Sequence, residues 1–234
     1  MFKTSLPPLK NMLSFNWFIK LMKSEPTKKR RTPWVVDESK YLTKAEVKRL
    51  VAYCNRMKLE GLKKKRFAGV RNWFMVELGL NTGLRVQEMA SLRHSNLLIG
   101  DEQSSITLVG KGGKKRSVLV SKRFKRKCLA YIEYKEKFKY CIDPESNVLN
   151  NLAGKEISKR ALQKFFKLIV QGAGLETRYH IHNLRHTYTT FLLKSSNYNY
   201  EFVRKQLGHA SIATTQIYSG VFKSEARRAV EKIY

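Results

Sequence analysis

Acidic side chains are scarce in this chain of 234 residues: 18 Asp and Glu stand against 47 Lys and Arg. The formal net charge is +29 and the sequence pI is near 10.2. That excess is far beyond what solubility needs and implies a polyanionic partner: DNA, RNA or an acidic membrane face. Long apolar runs are missing too. No stretch reaches the roughly 18 residues of a membrane span. The start, Met1-Phe2-Lys3, leads into no apolar signal core, because Pro7, Pro8, Lys10 and Asn11 interrupt it. A membrane partner therefore recedes and nucleic acid leads. Cysteine is sparse: Cys54, Cys128 and Cys141 are odd in number, with no pair at C-x-x-C spacing. Zinc and a disulfide framework both lose support, and a reducing, cytoplasmic compartment fits.

What is present is enough for a core. The hydrophobic content of 42% and the length allow one good-sized domain, or one domain plus an arm. Residues 1–40 read as a basic N-terminal arm or linker. In it Lys28, Lys29, Arg30 and Arg31 are bracketed by Pro26 and Pro33. The run is either a solvated connector or a strap along a phosphate backbone. Residues 41–234 read as the main domain.

Thr43 with Glu46 three residues later is a capping box ahead of Val47, Leu50 and Val51. After the basic run 63–66 comes a helix bearing Val70, Trp73, Phe74 and Leu78, apolar on most sides and so central. Asn81-Thr82-Gly83 ends it, and 85–92 reads as the next helix, with Arg85 in its first turn and Glu88 beside it. Segments 96–99, 105–109 and 116–120 are strand-like, separated by turn signals at 100–101 and 112–113. Basic helix 121–138 and helix 158–171 follow. The second carries Leu162, Phe165, Phe166, Ile169 and Val170 on one face and is stopped by Gly172 and Gly174. The expected class is mainly α with a small antiparallel β-sheet, an α+β fold.

The densest chemistry lies between 182 and 218. His182 and Arg185 are three apart and project together from a helix start. The spacing puts Leu184, Tyr188, Phe191 and Leu192 on a buried stripe of the same helix. An imidazole that moves a proton and a guanidinium that clamps oxygens suit a phosphate. His209 follows the helix-ending pair Leu207-Gly208. Ser211 caps a short helix in which Ala213 and Ile217 face the core and Tyr218 sits at the edge. Taken singly, a Tyr or a His here is most often a packed or surface group. As a set at defined offsets they point to phosphate chemistry.

At these residues the chain resembles the tyrosine recombinases, the phage-integrase and Xer-type family of site-specific DNA recombinases. The family signature is an Arg, a Lys, a His-x-x-Arg box, a second His and a nucleophilic Tyr, in that order. The matching positions are Arg85 in Thr82-Gly83-Leu84-Arg85-Val86-Gln87-Glu88, Lys111 in Gly110-Lys111-Gly112, then His182, Arg185, His209 and Tyr218. The resemblance spans roughly residues 41–222. It implies a recombinase catalytic-domain fold in which Arg85 and Arg185 clamp the phosphate and His182 takes or shuttles the proton. Lys111, at a hairpin tip, would protonate the leaving oxygen, His209 would donate a hydrogen bond, and Tyr218 would form a 3′-phosphotyrosine. No metal, ATP or other cofactor is implied. Gly110-Lys111-Gly112-Gly113 lacks the spacing of a nucleotide loop, and no acid or Cys stands at ligand spacing beside His182 and His209. Lys114, Lys115 and Arg116, with Lys28, Lys29, Arg30 and Arg31, are expected on backbone phosphates.

The resemblance also implies double-stranded DNA as partner, a homo-tetramer on DNA with a monomer or weak oligomer off it, accessory DNA-bending factors, and a cytoplasmic, nucleoid-associated location. Family members generally carry a helical core-binding domain ahead of the catalytic one. Residues 11–36 look like the tail of such a domain plus its linker, so a short-form enzyme, similar to the fimbrial inversion enzymes, or a truncated product is expected. A stripe of Phe222, Ala226, Ala229, Val230 and Ile233 would pack on a neighbouring protomer or in cis. Two other readings stay open: a non-catalytic DNA-binding regulator on this scaffold, and a type IB topoisomerase. An RNA-binding module fits least, since the aromatics follow core periodicity.

The charge alone generates one test. Affinity for a DNA duplex, followed by fluorescence anisotropy, should fall on the order of a thousandfold between about 50 and about 200 mM salt. A flat salt response would remove the phosphate backbone as the partner.

Overall fold

A computed structural model describes residues 38–100, 103–109, 113 and 115–208. These belong to one compact unit, Val35–Tyr234. Among the described residues no helix is long and apolar enough to cross a membrane.

The first helix, α1 (Lys44–Lys63), starts on the expected capping box. Glu46 N–H donates to Thr43 Oγ1 at 3.2 Å, and Thr43 N–H donates to the Glu46 carboxylate at 2.8 Å. A tight turn, with Lys65 at φ +52°, reverses the chain into α2 (Phe67–Thr82). The two helices touch backbone to backbone where Gly61 meets Gly69. A Cβ on Gly69 would lie 2.3 Å from the Met57 carbonyl oxygen. Helix α2 is the central strut expected from its composition. Phe67, Val70, Trp73, Phe74, Met75, Val76 and Leu78 are all buried.

Gly83, at φ +62°, ends α2 in the left-handed conformation that a Cβ disfavours. The short α3 (Val86–Ala90) follows, with Arg85 as its N-cap rather than inside its first turn. A 3-10 turn, His94–Asn96, leads into β1 (Leu97–Ile99), β2 (Ser104–Val109) and β3 (Lys115–Val120). The strands form an antiparallel sheet in the order β1-β2-β3, with Ile106 opposite both Leu97 and Val118. Ile106, Leu108 and Val118 point into the core; Leu98, Val109 and Leu119 point out. This alternation is the period-two pattern that marked the segments as strands. Asn96 falls in the preceding turn, a one-residue difference of the size usual at element ends.

Helix α4 (Lys122–Lys137) lays its apolar residues on α2: Phe74 stacks on Tyr131 with ring centres 3.9 Å apart and planes within 4°. Lys135 on the same face is fully buried. Its Nζ donates to His94 Nε2 and to the Asn147 carbonyl, each at 2.8 Å. Burial pulls its ammonium down to about 8. Helix α5 (Lys159–Gly172) caps on Ser158 and buries Leu162, Phe166, Ile169 and Val170. Phe165, expected on that face, is half-buried at its edge, with the Arg71 guanidinium 4.4 Å over its ring.

Helix α6 (His182–Ser195) corrects one expectation. Tyr188, Phe191 and Leu192 are only half-buried, while Asn183, Arg185, His186, Thr187, Thr189 and Thr190 are buried beside Leu184. The helix has protein on most sides rather than along one stripe. Two of its hydroxyls tolerate this because they bond back to their own helix: Thr187 Oγ1 donates to the Asn183 carbonyl at 2.7 Å and Thr189 Oγ1 to that of Arg185 at 2.8 Å. Helix α7 (Tyr200–Leu207) then crosses β3. Gln206 acts there as a strand residue: its Nε2 donates to Leu119 O at 2.7 Å, and its Oε1 accepts from Leu119 N at 3.2 Å.

The Gly61–Gly69 contact makes a stability test. Gly69→Ala forces a methyl against backbone and should cost about 2 kcal/mol. Urea unfolding would show this as a lower midpoint with an unchanged slope, and an unchanged midpoint would disprove the close approach.

Candidate active site

The site is built around the start of α6. His180 N–H donates to Asn183 Oδ1 at 2.7 Å, and Asn183 Nδ2 donates to the Lys40 carbonyl at 2.7 Å. This fixes the first turn, which carries His182 and Arg185. Arg185 is 4% exposed. Its Nη1 donates to the Gly83 carbonyl at 2.5 Å and its Nη2 to that of Leu207 at 3.1 Å. One guanidinium thus joins the turn before Arg85 and the last residue of α7, whose second neighbour along the chain is His209.

Arg85 stands two residues beyond Gly83. Its side chain is 43% exposed and pairs with Glu88 across 3.1 Å. Glu88 also takes the Arg85 backbone N–H at 2.7 Å and Arg116 Nη2 at 2.8 Å. Burial by itself would raise the Glu88 pKa. The Arg85 N–H and the Arg116 and Arg85 charges outweigh it and hold the carboxyl below its usual range. The acid is therefore ionised at neutral pH.

His182 opens α6 at the surface. Its ring meets that of His186 edge-on, with centres 4.8 Å apart. Partial burial lowers its pKa, and the charges of Arg185, His180 and Arg85 lower it further. Arg185 shares the start of α6 with His182 and bonds the Gly83 carbonyl, two residues before Arg85, which brings Arg85, His182 and Arg185 into one neighbourhood. His186 is buried, and burial, with His182, Arg185, His180 and Lys40 adding to it, takes it to about 3. Both rings are neutral near pH 7, so His182 is able to accept a proton.

Of the residues expected from sequence, the structure brings Arg85, His182 and Arg185 together. It sets Arg116 against Glu88, and it leaves Lys115 exposed at the start of β3. Lys111 and Lys114 belong to the connection between β2 and β3. With His209, Tyr218, Lys28, Lys29, Arg30, Arg31, Ser211 and the stripe 222–233 they lie outside the described residues. Two contributors were not anticipated. His186 follows the His-x-x-Arg box directly, and its burial beneath His182 follows from spacing of four on a helix. Gln206 gave no local signal, since its partner is a strand 87 residues away. Among the described residues no group of acids, His and Cys is placed to hold a metal.

This arrangement of a helical core, a three-stranded sheet and an Arg-His-Arg cluster is that of a recombinase catalytic domain. The solved XerH site-specific recombinase, bound to its difH substrate before cleavage, matches 83% of this chain and 55% of its own at a TM-score of 0.64 and 22% identity, a likeness of fold. The Phage integrase family model matches residues 40–225, and the chain belongs to that family. It is similar to the tyrosine recombinase XerC of Caldanaerobacter subterraneus subsp. tengcongensis, 29% identical over 215 residues, covering 91% of this chain and 56% of the relative. The tyrosine recombinase XerC of Haemophilus ducreyi is 34% identical over 153 residues, covering 65% and 48%. The chain spans about half the length of these curated relatives.

His186 sets a pH test. Its folded pKa, about 3, lies below the ordinary value of 6.5. The unfolded chain therefore takes up the proton first. Stability from this ring is complete above about pH 6.5 and drains away as pH falls toward 3, by up to about 1.4 kcal/mol per pH unit. Denaturant midpoints measured from pH 7.5 to 4.5 should fall, and His186→Gln should flatten the slope. An equal slope in the variant would show that the ring does not stay neutral on folding.

Proposed function

We propose that the chain cuts and rejoins DNA at specific sites through a covalent 3′-phosphotyrosine, without metal or ATP. The observation that carries this is the convergence of Arg85, His182 and Arg185, with the imidazole neutral. Membership of the phage integrase family and the likeness to the two XerC recombinases support it.

A phosphodiester resists attack because it is anionic and its alkoxide leaves poorly. Arg85 and Arg185 would hold the non-bridging oxygens and stabilise the charge that builds on them. The Tyr218 oxygen attacks phosphorus while the bond to the 5′ oxygen breaks. His182 takes the phenolic proton, and Lys111 gives one to the leaving oxygen. His209 donates to the phosphate. The free 5′ hydroxyl of a second strand then attacks the phosphotyrosine, the phenol regains its proton, and the strands are exchanged without an external energy source. A free phenol has a pKa near 10, so a cluster of cations with an unprotonated imidazole is the environment that favours its ionisation.

In this reading residues 41–234 form the catalytic domain and residues 1–40 a basic arm. Lys28, Lys29, Arg30, Arg31, Lys114 and Lys115 lie along the DNA backbone. Four copies assemble on double-stranded DNA, with DNA-bending factors assisting, and the protein works where the chromosome is. The titanic excess of positive charge and the arginine cluster favour DNA over any neutral partner.

Incubation with nicked duplex DNA, followed by denaturing electrophoresis, is the deciding experiment. A protein–DNA adduct should form with the unaltered chain, and Tyr218→Phe should abolish it. An adduct that persists in that variant would remove Tyr218 as the nucleophile.

A further inference from the structure

Glu88 presents an electrostatic problem that the strand-transfer reading leaves open. Its carboxylate caps α3 by taking the Arg85 N–H, and it also lies on the Arg85 guanidinium at 3.1 Å. A cation and an anion in contact present no net charge to an approaching phosphate. Arg116 alters the sum. It comes from β3, 28 residues further along the chain, and places Nη2 2.8 Å from the same carboxylate. Two guanidinium groups on one carboxylate leave a net charge of about +1.

The two cations are not equivalent. The Arg116 side chain is 14% exposed and that of Arg85 is 43% exposed. Arg116 is on the inner side of Glu88, and Arg85 is on the open side. The Arg116 Nε has no acceptor among the described residues. Its Cδ and Nε run against Gly208, where an added Cβ would lie 2.2 and 2.6 Å from them. The side chain is wedged between Glu88 and the end of α7.

We propose that Arg116 is a positioning residue: it is the counter-ion of Glu88, and by neutralising that carboxylate it leaves the charge of Arg85 available to a phosphate. This rests on the strand-transfer reading for its reaction, and it replaces the direct backbone contact assigned to Arg116 from sequence. Without Arg116, the ionised Glu88 keeps Arg85 to itself.

The test uses the full chain and four variants: Arg116→Gln, Arg116→Lys, Glu88→Gln and the double variant Glu88→Gln/Arg116→Gln. Adduct formation on nicked duplex DNA gives the rate, and anisotropy with a short random-sequence duplex gives affinity at several salt concentrations. Arg116→Gln should slow adduct formation roughly tenfold or more, the size of a lost charge-assisted interaction. The double variant should recover most of that loss, because Gln at position 88 still caps α3 but no longer holds Arg85 by charge. Arg116→Lys should stay within about threefold, since it keeps the charge.

Rescue by Glu88→Gln is what neither a phosphate ligand nor a purely structural Arg would give. A double variant as poor as Arg116→Gln overturns the proposal. So does a salt slope that falls by about one in Arg116→Gln and is not restored in the double variant, which would make Arg116 a phosphate ligand. If Arg116→Gln does not fold, Arg116→Lys decides: near-normal rate supports the counter-ion role, and a loss of tenfold or more overturns it. If the unaltered chain forms no adduct, strand transfer fails as the reaction. The affinities of the same variants then decide the role of Arg116, with the rescue still expected and its absence still overturning it.

Discussion

The buried guanidinium of Arg185 donates to the carbonyl oxygens of Gly83 and Leu207, and the cleft is arranged around that fork. Those carbonyls sit at the ends of α2 and α7, where intrahelical donors run out. Each helix end therefore offers what an arginine needs, and the arginine satisfies groups that burial would leave unpaired. One side chain on α6 thereby sets the distance between three segments far apart in sequence. Two of these segments carry residues of the proposed site, Arg85 after Gly83 and His182 on the same turn as Arg185.

The positive ends are then balanced rather than merely gathered. Six charged or titratable groups lie here among the described residues, Arg85, Arg116, Arg185, His182, His186 and one acid, Glu88, which is kept ionised by its cationic neighbours. The imidazole pKa values are lowered too, by burial first and by the neighbouring cations second, and for these rings that favours the neutral form. A site of fixed cations and an unprotonated base is the combination that phosphate chemistry requires without a metal.

Sequence carried much of this where the signal is local. The Thr43–Glu46 box, the central α2 and the three strands follow from spacing of three, from composition and from alternation. The His182–Arg185 pair is likewise a matter of one helical turn. What the sequence hid is non-local or chemically ambiguous. Arg116 reads as one more cation in a basic hairpin, and only the sheet brings it to Glu88. Thr187 and Thr189 look like an exposed face, because a hydroxyl that bonds its own helix leaves no mark in a hydropathy pattern. The stripe assigned to α6 was misjudged for that reason. The fold of residues 41–208 was open to reading, whereas the ion-pair wiring of the cleft was not.

Gln206 covers the only part of the Leu119 backbone that β2 does not reach. A bare strand margin invites a stranger's strand to zip onto it. A single carboxamide, held in turn by the Tyr188 hydroxyl at 3.0 Å, blocks that invitation at Leu119. The same amide staples α7 to the sheet, so the shielding of a strand margin and the anchoring of a helix end share one side chain. Removing that amide would bare the strand margin and untie the helix end in one stroke.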